Sequence, residues 1–94
     1  MALIDTVKKE YVRKINNEYA AFRLALLQTS RENIFLMAKE IVRKSEIRKF
    51  LISRDSDIEE LIRHDNIIDS VHMLCREAGI NMEQAVEILV EEAR

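Results

Sequence analysis

The sequence predicts an all-α bundle of five to six helices, and three observations lead there. Proline is absent and Gly79 is the only glycine, so the chain has almost no turn chemistry for sheets. It is rich in Leu, Ile, Glu, Lys, Arg and Ala, which favour helix. Its apolar residues return every three or four positions along most of its length. At 94 residues, 48% hydrophobic and 34% charged, it reads as one globular domain over residues 1–94.

The first helix is expected from about Asp5 to Gln28. Ile4, Val7, Tyr11, Ile15, Phe22 and Leu26 form its stripe, flanked by Val12 and Tyr19. Such a helix is roughly 35 Å long, more than a small domain covers by itself. A homodimer through this helix is therefore expected. Thr29 and Glu32 are spaced as a capping box for a second helix bearing Ile34, Met37, Ala38 and Ile41. That stripe fails at Ser45 and Arg48, and the next group, Ile47, Phe50 and Leu51, lies roughly 150° round the helix. A break or bend near Ser45 is expected.

Ser56 and Glu59 repeat the capping-box spacing ahead of Ile58, Leu61 and Ile62. The phase slips again at His64-Asp65-Asn66. There Asp65 is expected to cap a helix carrying Ile68, Val71, Leu74, Cys75 and Ala78. Gly79 suits the left-handed residue after that helix, with Ile80 as the apolar residue beyond it. Asn81 and Gln84 cap the last helix, whose stripe is Met82, Ala85, Val86, Leu89, Val90 and Ala93.

Several activities lose their parts list. One glycine rules out a Gly-rich phosphate loop, and no nucleophile elbow exists. Cys75 permits no internal disulfide. His72 precedes it by three residues and could pair with it as base and nucleophile. However, Cys75 lies on an apolar stripe, where a free thiol behaves as a small hydrophobe. Asp65, Asp69, His72 and Cys75 descend one helix at ligand-like spacing. No glutamate on an apolar face completes a di-metal set, so solvated surface residues are the better account. No catalytic residue, metal or cofactor is expected. The N-terminus lacks a signal-peptide pattern, and the longest apolar run, Ile34 to Ala38, is far too short to span a bilayer. A cytoplasmic protein without membrane contact is expected.

Charge is distributed unevenly. Residues 1–54 hold 12 Lys and Arg against 6 Asp and Glu, while residues 55–94 hold 3 against 11. The halves either neutralise each other or present a basic and an acidic face. Lys39, Arg43, Lys44, Arg48, Lys49 and Arg54 form a ridge that could contact phosphates of a nucleic acid if their helix is unbroken. Tyr11, Tyr19, Phe22, Phe35 and Phe50 mostly fall on helix stripes and read as core. In the last helix Glu83, Gln84, Glu87 and Glu91 form a candidate protein-binding face.

Within LCREAGINMEQAVEIL, residues Cys75, Gly79, Ile80, Asn81, Ala85, Ile88 and Leu89 match the buried and turn positions of a repressor-type helix-turn-helix, which the segment resembles. The resemblance implies a turn geometry and, by analogy, a DNA-binding regulator. The outward face departs from it. Glu83, Glu87, Glu91 and Glu92 would each cost on the order of 1 kcal/mol against a phosphate about 4 Å away, even in water. The stretch EYAAFRLALLQTSRENIFLMAKEIVRKSEIRKFL resembles a family of short helical bacterial proteins of unknown function, common in gut Firmicutes and on their mobile elements. That likeness implies a mobile-element context and brings no site residues. The leading expectation is a non-enzymatic module that binds another protein, regulatory or inhibitory. The alternative is a helix-turn-helix-type DNA-binding regulator.

Overall fold

The computed structural model describes residues 2–94, with side chains from Thr6 onward, and every regular element among them is a helix. Ile4, placed on the first stripe, lies outside the described side chains. In chain order the helices are α1 (Ala2–Leu27), α2 (Arg31–Leu36), α3 (Ala38–Ile52), α4 (Ile58–Leu61), α5 (Ile67–Ala78) and α6 (Met82–Ala93).

Helices α1 and α3 run antiparallel as a long hairpin with α2 at its tip. Successive cross-links fix that register. The Tyr11 hydroxyl donates to the Leu51 carbonyl at 2.7 Å, Arg48 Nε donates to Asn16 Oδ1 at 3.0 Å, and the Lys44 ammonium sits over the Phe22 ring at 4.3 Å. At the open end Lys8 donates to the carbonyls of Ile52 (2.8 Å) and Arg54, and pairs with Asp55 at 3.2 Å. A cation there satisfies carbonyls that the helix cannot and complements the negative end of its dipole.

Helices α4, α5 and α6 cover one side of the hairpin. Helix α5 lies antiparallel to α3, tied by Lys44–Asp69 at 2.7 Å and His72–Glu40 at 3.8 Å. Helix α6 is held to the α4 region by hydrogen bonds to its carbonyls. Arg63 donates to that of Ala93 at 3.1 Å, and His64 Nε2 to that of Leu89 at 2.6 Å. The core collects Tyr11 and Ile15 from α1, Ile47 and Leu51 from α3, Ile58 and Leu61 from α4, and the inner stripes of α5 and α6. Each such side chain contributes about 1.5–3 kcal/mol when fully buried.

The turn from α5 to α6 and the cap of α6 match expectation. Gly79 is left-handed (φ 66), Asn81 caps α6 by accepting from the Gln84 amide at 2.8 Å, and the Gln84 side chain accepts from the Asn81 amide at 3.1 Å.

Four other joints differ. The cap before α2 is Ser30, whose hydroxyl accepts from the Asn33 amide, while the Thr29 hydroxyl turns back to the Ala25 carbonyl. The break falls at Met37, and α3 continues unbroken through Ser45. Before α4 and α5 the caps are Asp57 (φ 61) and Asn66 (φ 56), one residue beyond Ser56 and Asp65, and neither side chain bonds the helix it precedes. Both are left-handed, the conformation that Asp and Asn tolerate best after glycine. A chain with one glycine spends its short polar residues on turning rather than on capping.

Candidate functional site

The basic ridge does not form a single face. Helix α3 runs unbroken through the first five of the ridge's cations, with Arg54 just beyond its end, yet three of the six are bound internally. Lys44 is 8% exposed, with its ammonium between Asp69 and Glu40 (2.7 and 3.3 Å) and over Phe22. Arg48 bonds Asn16 and stacks on Tyr19 at 5.3 Å. Arg54 grips both carboxylate oxygens of Glu83 (3.1 and 3.0 Å), reaches Asp57 at 3.3 Å and lies over Phe50 at 5.8 Å. Of the six, Lys39, Arg43 and Lys49 are exposed with no ion-pair partner among the described residues. Neutralisation between the halves accounts for much of this, through Lys8–Asp55, Lys14–Asp65, Lys44–Asp69 and Arg54–Glu83.

The aromatic residues follow the same logic. Tyr11 is buried, and Tyr19, Phe22 and Phe50 are half-buried beneath cations. Phe35 departs from expectation, at 82% exposed on the tip helix.

On α6 the acidic residues divide. Glu83 is held by Arg54, and Gln84 is engaged in the capping box. Glu91 pairs with Arg94 at 3.2 Å. Glu87 and Glu92 are exposed with no ion-pair partner among the described residues. Between these side chains lies a shallow groove lined by Ile80, Gln84, Glu87, Ile88, Glu91 and Glu92. Ile88, matched to a buried position of the helix-turn-helix, faces solvent instead. Simple arithmetic carries the signal for this. At about 100° per residue, Ile88 stands roughly 160° from buried Val86. A turn that resembles a known motif therefore hid an apolar residue on the outer face.

The remaining candidates on α5 do not converge. Asp65 turns to Lys14 (3.7 Å) and Asp69 to Lys44, while His72 faces Glu40. Among the described residues no group of three His, Cys, Asp or Glu is arranged to hold a metal ion. Cys75 is buried on the core stripe. Burial pushes its thiol above the usual value despite the nearby Arg43, which keeps it protonated rather than nucleophilic.

Burial also holds the His72 imidazole below its ordinary pKa. Glu40 opposes the shift, while Lys44, Arg76 and Arg43 add to it. Its Nδ1 is buried without a hydrogen-bond partner. The folded state therefore binds a proton less readily than the unfolded chain. The stability this gives is present above the unfolded value of about 6.5 and is lost as pH falls through it to the folded value. Urea unfolding at about pH 7.5 and about pH 5 should show a larger loss for the wild type than for His72→Gln, the difference being this linkage. Equal losses would mean that His72 is free to charge in place.

Among the described residues, no helix is long and apolar enough to cross a membrane. Known proteins supply no further guide. No family model, no curated protein and no solved structure matches this chain.

Proposed function

We propose that the chain is a non-catalytic protein-binding module whose α6 groove receives a basic amphipathic segment of a partner protein. The observation that carries this reading is the pairing of an exposed apolar floor, Ile88 with half-buried Ile80, with two unpaired carboxylates, Glu87 and Glu92. An apolar anchor surrounded by uncompensated charge of one sign is what a complementary helix needs. The charges steer the encounter, and the isoleucines, covered on binding, hold it. Binding of this kind regulates or inhibits by occupying the partner's segment. A place on a mobile element would suit such a role.

Duplex binding has less to support it. Three ridge cations are bound internally, and the helix that would enter a groove bears unpaired glutamates. A synthetic amphipathic Leu/Lys peptide of about 18 residues is the probe, read by amide chemical-shift changes. Shifts should concentrate at Ile80, Glu87, Ile88 and Glu92, weaken with added salt, and vanish in Glu87→Lys/Glu92→Lys. Random duplex DNA in a parallel titration should leave α3 and α6 unmoved. Shifts from DNA along Lys39, Arg43 and Lys49, with none from the peptide, would transfer the function to the nucleic-acid reading.

A further inference from the structure

The chain is 47 Å long but only 18 Å in its thinnest direction. Those dimensions follow from unequal helices. With 26 residues α1 is roughly 39 Å long, whereas α5 and α6, at 12 residues each, reach roughly 18 Å. The covering layer lies on one side of the hairpin only, with α5 running beside α3 from Lys44 past Glu40. Accordingly, no residue of α1 beyond Ile15 is buried, and none of α2 is.

The overhanging end is apolar. Leu27, Phe35 and Leu36 are each 80–82% exposed, and Leu24 and Val42 are 58–59% exposed. Leu24 lies about 180° round α1 from buried Ile15, and Val42 lies about 140° round α3 from buried Ile47. Both therefore face the side of the hairpin that α4–α6 leave bare. Together the five side chains offer roughly 600 Å² of apolar surface, at the top of the 300–600 Å² range for a monomer's largest patch. With the polar atoms around them this approaches the roughly 800 Å² that each partner gives to a stable interface.

The charges around this end indicate what covers it. Arg23, Arg31, Lys39 and Arg43 stand exposed with Glu32 and Glu46, and none of the six has an ion-pair partner among the described residues. Val42 shares a shallow groove with Lys39, Arg43 and Glu46. An anionic lipid surface or a polyanion would welcome the four bases and be repelled by the two acids. A second copy supplies both signs, so that acids of one face bases of the other under two-fold symmetry.

We propose that this bare end is a homodimer surface, on which two hairpins pack Leu24, Leu27, Phe35, Leu36 and Val42 against each other as a four-helix bundle. The surface is separate from the α6 groove, and the dimer does not depend on what that groove binds. Each anchor occurs twice in a two-fold interface, so one substitution acts twice. Sedimentation velocity on the full chain from about 5 to about 500 µM should show a concentration-dependent dimer. Leu27→Glu/Leu36→Glu should raise its dissociation constant at least about 100-fold, with far-UV circular dichroism unchanged because both residues are exposed. Leu24→Ser/Phe35→Ser is the second variant, and it should have the same effect if the first loses helicity. A wild type that stays monomeric at the highest concentration would overturn the proposal. So would a dimer that survives both variants, or a monomeric wild type that floats with phosphatidylserine vesicles.

Discussion

Replacing Tyr11 with alanine should lower the unfolding free energy by about 4 kcal/mol, within the range for removing a fully buried aromatic ring. Tyr11 is 0% exposed and lies where α1, α3 and α4 meet, so no neighbour is free to collapse into the space. Tyr11→Phe separates the ring from its hydroxyl. It should cost about 1 kcal/mol or less, because the Leu51 carbonyl keeps the Arg54 amide as a donor at 3.2 Å. The hydroxyl leaves a distinct signature in alkali. Burial drives the phenol well above its ordinary value of about 10, with Arg54 opposing and Glu18 adding slightly. The folded value exceeds the unfolded one, so the stability it gives is complete below pH of about 10 and falls away as pH rises beyond that. Urea unfolding across that range should show the wild type declining faster than Tyr11→Phe. Parallel curves would mean that the phenol is not sequestered.

Tyr11 was legible as core because it sits on an unbroken stripe at helical spacing. The same holds for Ile15, for the inner faces of α5 and α6, and for the Gly79–Asn81 turn, whose residues each admit one structural role. The break at Met37 was hidden. Pattern reading looks for apolar residues on the inward face, but the first turns of α3 place Glu40 and Lys44 there. Lys44 is held in that position by setting its ammonium over the Phe22 ring and meeting Asp69, a partner 25 residues away that no local window contains. The stripe therefore seemed to fail at Ser45, although the helix is continuous.

The candidate surfaces were legible to different degrees for a related reason. The acidic face of α6 is a local property of one helix, and Glu87 and Glu91 do face solvent. A ridge of cations is not local, since each long side chain chooses among distant carboxylates and rings. Arg54 and Glu83, named for two opposed surfaces, hold each other instead. That the long first helix carries uncovered surface was expected from its length, but not which side chains form it, because Leu24, Leu27 and Leu36 look like ordinary helix-forming leucines. Only the placement of α4–α6 on one side of the hairpin reveals that nothing lies over them.

Glu18 carries the second large effect. It went unnoticed because it stands on the flank of α1 with no motif around it. Helix α5 starts from Asn66, whose backbone is left-handed and whose side chain makes no capping hydrogen bond. The orphan amides there need an acceptor from elsewhere. Glu18, fifty residues earlier, provides it, with Oε1 accepting from the Ile68 amide at 2.9 Å. A carboxylate at that end also meets the positive pole of the helix dipole. Glu18→Ala should therefore cost about 2 kcal/mol, combining a charge-assisted hydrogen bond with the dipole interaction. Glu18→Gln keeps an acceptor and loses the charge, so it should cost about half as much. Hydrogen exchange distinguishes a cap from a general packing contact. In Glu18→Ala the amides of the first turn of α5 should exchange faster, while those of α6, which has its own capping box, should exchange no faster than global unfolding dictates. Uniform acceleration across α5 and α6 would mean that Glu18 holds two helices together rather than starting one. Glu18 thus makes the stability of the start of α5 depend on α1, although the two are far apart in the chain.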